Sequence, residues 1–240
     1  FMTDRPDKTE SPYTVDAGHF QFETDIVSLA IDKNADTGAV TRNFALNLAN
    51  LKVGVANFSD LQFVIGANYQ SVTQSGSDSS TWSLRDLTLR WKFNVFGNDS
   101  GDVAFGIMPF IKIPTASGPI GNGMTEGGLI LPLAFNAPWG FAIGTTTQIN
   151  AKIDSDDPLT YLPTFIASVS LGHDIAGGLY GYAEIYSESS LIANKNWIAT
   201  FDTGLTWEFV KNWQADLGVN IGLTPAADDW NPFLGLSARF

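Results

Sequence analysis

From residue 18 onward the chain alternates apolar and polar positions over stretches of about ten to fifteen residues, the period-two signature of strands. The most regular stretch is 139–153. There Trp139, Phe141, Ile143, Thr145, Thr147, Ile149 and Ala151 share one face, against Gly140, Ala142, Gly144, Thr146, Gln148, Asn150 and Lys152. The stretch 231–240 has the same form and ends on an aromatic: Leu234, Leu236, Ala238 and Phe240 oppose Gly235, Ser237 and Arg239. In 61–72, Leu61, Phe63, Ile65, Ala67 and Tyr69 oppose Gln62, Gly66, Asn68 and Gln70. In 82–96, Leu87, Leu89, Trp91, Phe93 and Val95 oppose Asp86, Thr88, Arg90, Lys92 and Asn94. Similar stretches fall at 18–31, 42–55, 102–113, 127–137, 161–173, 179–188, 197–210 and 213–224. Within 42–55 the parity slips between Leu48 and Leu51, which predicts a bulge near Asn50. Pro109, Pro132 and Pro163 lie inside predicted strands and each removes a ladder donor, so bulges or irregular pairing are expected there.

The count is about twelve strands, each long enough to cross a bilayer obliquely, with one face for an apolar medium and one for a polar interior. The connections alternate in length. Short ones lie near 57–60, 97–101, 137–139, 175–178 and 211–212. Long ones lie near 32–41, 75–81, 114–126, 154–160, 189–196 and 225–231. Short turns on the periplasmic side and long loops outside are the barrel rule. The predicted fold is therefore all-β: a transmembrane antiparallel up-and-down β-barrel of about twelve strands. Residues 18–240 form the barrel, and residues 1–17 an extended N-terminal arm on the periplasmic side. A soluble β-sandwich binding module would also alternate, but has no reason to sort its loops by order. Trp82, Trp91, Trp139, Trp197, Trp207 and Trp213 fall mostly near strand ends, as an aromatic girdle does.

Composition strengthens the membrane reading. Of 240 residues, 44% are hydrophobic and only 16% charged, with 23 glycines and 12% aromatics. No apolar run approaches the ~18–20 residues of a membrane helix, so a helical membrane protein is excluded. A net charge of −12 with no basic patch argues against nucleic-acid binding. There are no cysteines, hence no disulfide or thiolate chemistry. No signal peptide is visible, and the opening Phe1-Met2-Thr3-Asp4 fits a leader removed or lying upstream.

The arm reads Thr3-Asp4-Arg5-Pro6-Asp7-Lys8-Thr9-Glu10-Ser11-Pro12-Tyr13-Thr14-Val15, followed by Gly18-His19-Phe20-Gln21-Phe22-Glu23. It resembles the opening of the outer-membrane β-barrel family named after the meta-pathway of phenol degradation. Lys112-Ile113-Pro114-Thr115 is similar to a second landmark of that family. The resemblance covers the whole chain. It implies a transporter in the bacterial cell outer membrane for small, often aromatic or hydrophobic compounds, and carries over no catalytic residue.

No enzyme is expected. The only histidines, His19 and His173, lie near the periplasmic rim, neither beside an inward serine with a supporting carboxylate. No metalloprotease, nucleophile-elbow or phosphate-loop motif is present, and no cofactor is expected. The lumen carries the candidate chemistry. Inward parity collects Glu23, Asp25, Asp86, Glu184, Asp202, Glu208 and Asp216 against Arg90, Lys92, Lys112, Lys152 and Arg239. Glu184 and Asp202 are expected at mid-height and would bias a narrow passage toward cations. A selective constriction and a salt-bridged, partly filled interior both remain open at this point. Phe110, Tyr180, Tyr182 and Tyr186 offer surfaces on which an aromatic solute can stack.

Two readings of the arm stay open: a small plug that threads or caps the periplasmic mouth, and a flexible tail in the periplasm. Asp4, Asp7 and Glu10 have Arg90, Lys92 and Arg239 as candidate partners, and Arg5 has Glu208 or Asp216. Asp154, Asp156 and Asp157, like Asp228 and Asp229, crowd outer loops. They suit solvation, or divalent bridges to lipopolysaccharide phosphates, better than a dedicated calcium site. The expected partners are outer-membrane lipid and lipopolysaccharide, a small organic solute, and the barrel-insertion machinery acting on the strand that ends at Phe240. The function expected is passive uptake of small organic solutes. The alternative is a non-conducting scaffold or partner-binding barrel with a plugged lumen.

Overall fold

The structure is a computed structural model. It describes the chain except residues 75, 100, 117–120, 155, 156, 158 and 193–196 and the side chains of 47 and 48. Thirteen strands occur among the described residues. They are β1 (Phe20–Lys33), β2 (Val40–Ala56), β3 (Ser59–Gln74), β4 (Ser77–Leu84), β5 (Leu87–Phe96), β6 (Val103–Ile113) and β7 (Glu126–Asn136). After a single turn at Pro138–Gly140 come β8 (Phe141–Ile153), β9 (Tyr161–Ala176), β10 (Leu179–Ser190), β11 (Ile198–Val210), β12 (Trp213–Gly222) and β13 (Trp230–Arg239).

Apart from β4 and β5, neighbours pair antiparallel in chain order, and β1 pairs with β13, so the sheet closes on itself. β3 pairs with β4 along its outer half and with β5 along its inner half, on the same edge. β4 and β5 are thus two lengths of one stave, and the barrel has twelve staves. Closure satisfies every ladder edge inside lipid, which an open sheet does not.

The outward set meets the apolar medium. Phe63, Ile65, Trp91, Leu129, Ile149, Leu171 and Leu234 are exposed, and so are all seven tryptophans. Trp82, Trp197 and Trp230 mark the outer end, Trp91, Trp139, Trp207 and Trp213 the periplasmic end. Phe240 exchanges backbone hydrogen bonds with Phe20 (3.0 and 2.8 Å) and packs edge-on to Trp213. The inward set is polar: Glu23, Lys52, Asp60, Gln62, Lys92, Glu184, Asp202 and Asp216 are buried. His173 packs edge-on against Phe141, and its Nε2 lies 3.1 Å from the Trp139 carbonyl, near the periplasmic end.

Several details differ from the alternation-based expectation. The stretch 82–96 is not one strand. It breaks at Arg85–Asp86, where the Asp86 carboxylate pairs with Lys112 (2.9 Å) and accepts from the Ala116 N–H (2.9 Å). Residues 77–81, expected in a loop, continue the β3–β4 hairpin beyond the lipid, where both faces meet water and no apolar alternation marks a strand. The register shift in β2 lies between Leu46 and Ala49, earlier than Asn50. The prolines cause no bulge at their own positions. At Pro109 and Pro132 the register is kept while ladder pairs are skipped, and Pro163 pairs regularly with Ala151 near the outer end of β9.

Leu131 lies on the lipid-facing parity of β7, between the inward Ile130 and Pro132. Leu131→Arg is expected to cost about 2–4 kcal/mol, the penalty for a cation near the midplane. Gln148→Ala, on the lumen side of β8, is expected to cost far less. Denaturant titration of barrels folded into lipid vesicles measures both, and equal costs would refute the facing of β7.

Candidate functional site

The inward faces of the strands bring charged side chains into a space where water is scarce, so each needs a partner. Lys112 with Asp86 and Glu126, and Lys152 with Glu188, pair within the wall, while many of the other partners come from residues 1–17. The arm was expected to be extended. It has no helix or strand, but it doubles back inside the lumen with its apex at Lys8. One limb rises from Asp16 to Thr9 and the other descends from Asp7 to Phe1.

The rising limb is held rung by rung. The Val15 N–H donates to Asp60 Oδ2 (2.9 Å), and the Thr14 hydroxyl to the Asn57 carbonyl (2.8 Å). Asn94 Nδ2 donates to the Pro12 carbonyl (2.9 Å). Glu10 pairs with Arg90 (2.7 Å), and its N–H donates to Thr146 Oγ1 (2.8 Å). At the apex the Thr9 hydroxyl and the Lys8 N–H both donate to the Glu184 carboxylate (2.9 and 2.8 Å). Lys8 Nζ reaches Thr200 Oγ1 (2.8 Å) and Asp202 (3.3 Å).

The descending limb is held by charge. Arg5 bridges Asp25 and Asp216, each at 2.6 Å. Asp4 lies between Lys92 (2.5 Å) and Lys52 (2.6 Å), and Lys52 also pairs with Glu23. The Ser11 N–H donates to Asp4 Oδ1 (3.1 Å), tying the two limbs together. Lys92 is 0% exposed, and Asp4 is its ion-pair partner.

The wall is cut to receive the arm. A Cβ on Gly54 would overlap the Asp16 carbonyl, and one on Gly235 would overlap the Arg5 guanidinium. These glycines serve close approach, not an unusual backbone angle.

Two chambers remain on either side of the arm. The outer one holds about 960 Å³ and is reached by Phe110, Tyr186, Phe233, Lys112 and Lys152. The inner one holds about 410 Å³ and is reached by Phe1, Tyr180, Tyr182, Asp174 and Glu208. Arg5, Pro6, Asp7 and Glu10 line both.

The residues singled out from parity therefore divide. Asp25, Arg90 and Lys112 line the outer chamber, while Asp86 stands beside it, bound to Lys112. Glu23, Lys92, Glu184, Asp202 and Asp216 line neither chamber and hold the arm. Arg239 meets Asp16 at 3.7 Å and the Gln21 side chain, not Asp4, Asp7 or Glu10. Arg5 pairs with Asp216 and not with Glu208, whose carboxylate accepts from the Asn212 N–H (3.1 Å). Asp7 has no cation partner among the described residues. The four aromatics do not form one surface: Phe110 and Tyr186 face the outer chamber, Tyr180 and Tyr182 the inner.

Sequence reasoning missed Lys52, Lys8 and Asp60. The signal for Lys52 was present, since it falls between the outward Leu51 and Val53. In the outer loops, Asp157 accepts from the Leu159 N–H and the Thr160 hydroxyl (3.2 and 2.6 Å), which shapes its own turn. Asp156 lies outside the described residues. Among the described residues no group of His, Asp and Glu is arranged to hold a metal ion.

The fold is shared with solved barrels. The crystal structure of an outer membrane channel from Pseudomonas putida F1 superposes with a TM-score of 0.73 at 12% identity, over 96% of this chain and 98% of that one. The translocator domain of the autotransporter NalP from Neisseria meningitidis gives 0.53 at 12% identity, over 92% and 88%. The NanC porin gives 0.52 at 10% identity, over 88% and 98%. No curated protein matches. These likenesses fix a twelve-stave barrel of the outer-membrane type, as the apolar exterior requires. The model of the family described as "Putative MetA-pathway of phenol degradation" matches residues 3–240, and the chain belongs to that family.

Proposed function

We propose that this barrel is a passive outer-membrane channel for small organic solutes, aromatic or hydrophobic ones among them, and that residues 1–17 act as its gate. One observation carries the reading: the same four arm residues, Arg5, Pro6, Asp7 and Glu10, line both chambers. The arm is thus the septum between two cavities, each large enough for a small molecule. A solute crossing the barrel has to pass beside this septum or displace it. Phe110, Tyr186 and Phe233 give the outer chamber aromatic faces, and Arg90 and Lys112 give it a polar rim. The Pseudomonas putida barrel, which shares the fold, is an outer membrane channel, and that supports the same reading.

A second reading has its own support. The arm engages Lys52, Lys92, Asp25, Asp202, Asp216, Glu184 and Arg90 at once. A septum held this firmly suits a non-conducting barrel whose outer loops bind a partner. Glu184 and Asp202, buried against the arm, would influence ions only after the arm moves.

Deletion of residues 1–17 tests the gate. Planar-bilayer recordings of the truncated barrel are expected to show larger or more frequent openings than the full chain, with folding checked by heat-modifiable gel mobility. Conductance equal to that of the full chain would end the gating idea, and silence from both would favour the scaffold.

Arm docking is tested separately. Gly54→Val places a side chain where the Asp16 carbonyl lies, and is expected to make the bond after Lys8 cleavable by trypsin in the folded barrel. Lys92→Ala removes one of the two cations that hold Asp4, and is expected to act in the same direction. Breaking such a buried pair costs about 3–5 kcal/mol. Resistance to trypsin equal to wild type in both variants would mean that these contacts do not hold the arm.

A further inference from the structure

The two chambers differ in charge. The outer one is lined by six basic groups (Arg5, Lys8, Arg85, Arg90, Lys112, Lys152) and six acidic ones (Asp7, Glu10, Asp25, Glu126, Glu188, Asp228). The inner one is lined by one basic group, Arg5, and four acidic ones, Asp7, Glu10, Asp174 and Glu208. Arg5 is fully engaged by Asp25 and Asp216, and Glu10 is engaged by Arg90. Asp7, Asp174 and Glu208 therefore face the inner chamber with no cation beside them among the described residues.

Tyr182 is an independent pointer. Its side chain lines this chamber and is only 6% exposed, yet its hydroxyl has no hydrogen-bond partner. A buried hydroxyl without a partner is costly, and a ligand donor removes that cost. Tyr180 adds a second ring to the wall.

We propose that the inner chamber binds a small organic cation, an ammonium group carried on an aromatic or apolar body. The ammonium donates to the Asp7 carboxylate and to the Tyr182 hydroxyl oxygen, while Tyr180 offers its ring to the charge. Asp174 and Glu208, exposed at the periplasmic end, draw the cation in. The apolar body lies against Phe1, Met2, Phe135 and Ile143, which also line the chamber. The cavity's size is at the lower end for small-molecule sites, which limits the ligand to a compact amine. The proposal deepens the channel reading by naming a solute class, and rests on it only for the claim that the bound cation is carried across.

Burial, with Glu10 and Asp4 nearby, raises the Asp7 carboxyl to about 7. The titratable groups around it are Asp4, Arg5, Glu10 and Tyr13 on the arm, Asp174 on β9, Tyr180, Tyr182 and Glu184 on β10, Asp202 and Glu208 on β11 and Asp216 on β12, and the Ser170 hydroxyl hydrogen-bonds its carboxylate. Lys8 on the arm is the nearest cation in sequence, and it is engaged by Asp202. Below that pH Asp7 holds a proton, and an organic cation has to replace it.

The test is calorimetric titration of the full chain in lipid nanodiscs with three probes of one shape: phenethylammonium, 2-phenylethanol and phenylacetate. At pH 8 phenethylammonium is expected to bind about tenfold or more tighter than the neutral alcohol, with the carboxylate weakest. Lowering the pH to 6 is expected to weaken the amine and leave the alcohol unchanged. Asp7→Asn is expected to erase the amine's advantage, and Tyr182→Phe to reduce it several-fold. Trypsin protection of Lys8 shows whether either variant still docks its arm. Glu208→Gln with Asp174→Asn, both at the exposed rim, provides a variant that leaves the arm untouched and is expected to weaken the amine several-fold. Equal affinity for the three probes, or an amine affinity unchanged in Asp7→Asn, overturns the proposal. Amine binding without conductance keeps the site and removes the channel reading, and conductance with charge-blind binding does the reverse.

Discussion

Asp4 between Lys52 and Lys92 is the interaction on which the lumen depends. Two ammonium groups buried in the wall of a barrel cannot remain unpaired in a medium of low dielectric. Lys52 has Glu23 as a second partner, but the ion-pair partner of Lys92 comes from the arm. Arg5 and Lys8 do the same for the wall carboxylates Asp25, Asp216 and Asp202. The arm supplies cations where the wall is acidic and anions, Asp4 and Glu10, where the wall is basic. Its doubled-back path is what lets one short segment serve both sides of the lumen.

Much of this was legible in the sequence. Alternation gave the strand positions, because lipid imposes an apolar residue at every second place. It also gave the side on which Glu23, Arg90, Lys92, Glu184 and Asp202 point. Charge narrowed the arm's partners to groups without pairing them: Asp4 and Glu10 do meet Lys92 and Arg90 from the basic set, and Arg5 takes Asp216 of its two candidates, but Asp7 and Arg239 find no partner in the opposing set. The β4 segment was not legible, since residues 77–81 stand above the lipid and nothing there enforces alternation. The break at Arg85–Asp86 was not legible either, because Asp86 keeps the right parity while its carboxylate turns to Lys112. The fold of the arm depends on Ser11 and Asp4 meeting across seven positions, with no periodic signal to announce it. Lys52 was overlooked although Leu51 and Val53 bracket it.

The division of the lumen also explains why a list of inward residues does not make a site. Glu184 and Asp202 face each other on β10 and β11 and look like a filter in projection. With the arm in place they are hydrogen-bond acceptors for Lys8 and Thr9. The surfaces open to a solute are set by what the arm leaves uncovered, namely Phe110 and Tyr186 above it and Tyr180 and Tyr182 below.

The short connection between arm and barrel has a further consequence. The Asp16 carbonyl accepts from the His19 N–H (3.0 Å), and the Gly18 N–H donates to the Gly54 carbonyl (3.1 Å), so the arm is anchored within a few residues of β1. It is a tethered ligand, and a short tether holds its effective concentration at about the millimolar level or above. Any free molecule that uses the same wall groups has to compete with that local concentration at every encounter. Occupancy by a dilute compound would then be brief, and return of the arm would be fast. The anchoring turn at Gly18 therefore bears on any molecule that would take the arm's place on those wall groups, although it lines neither chamber.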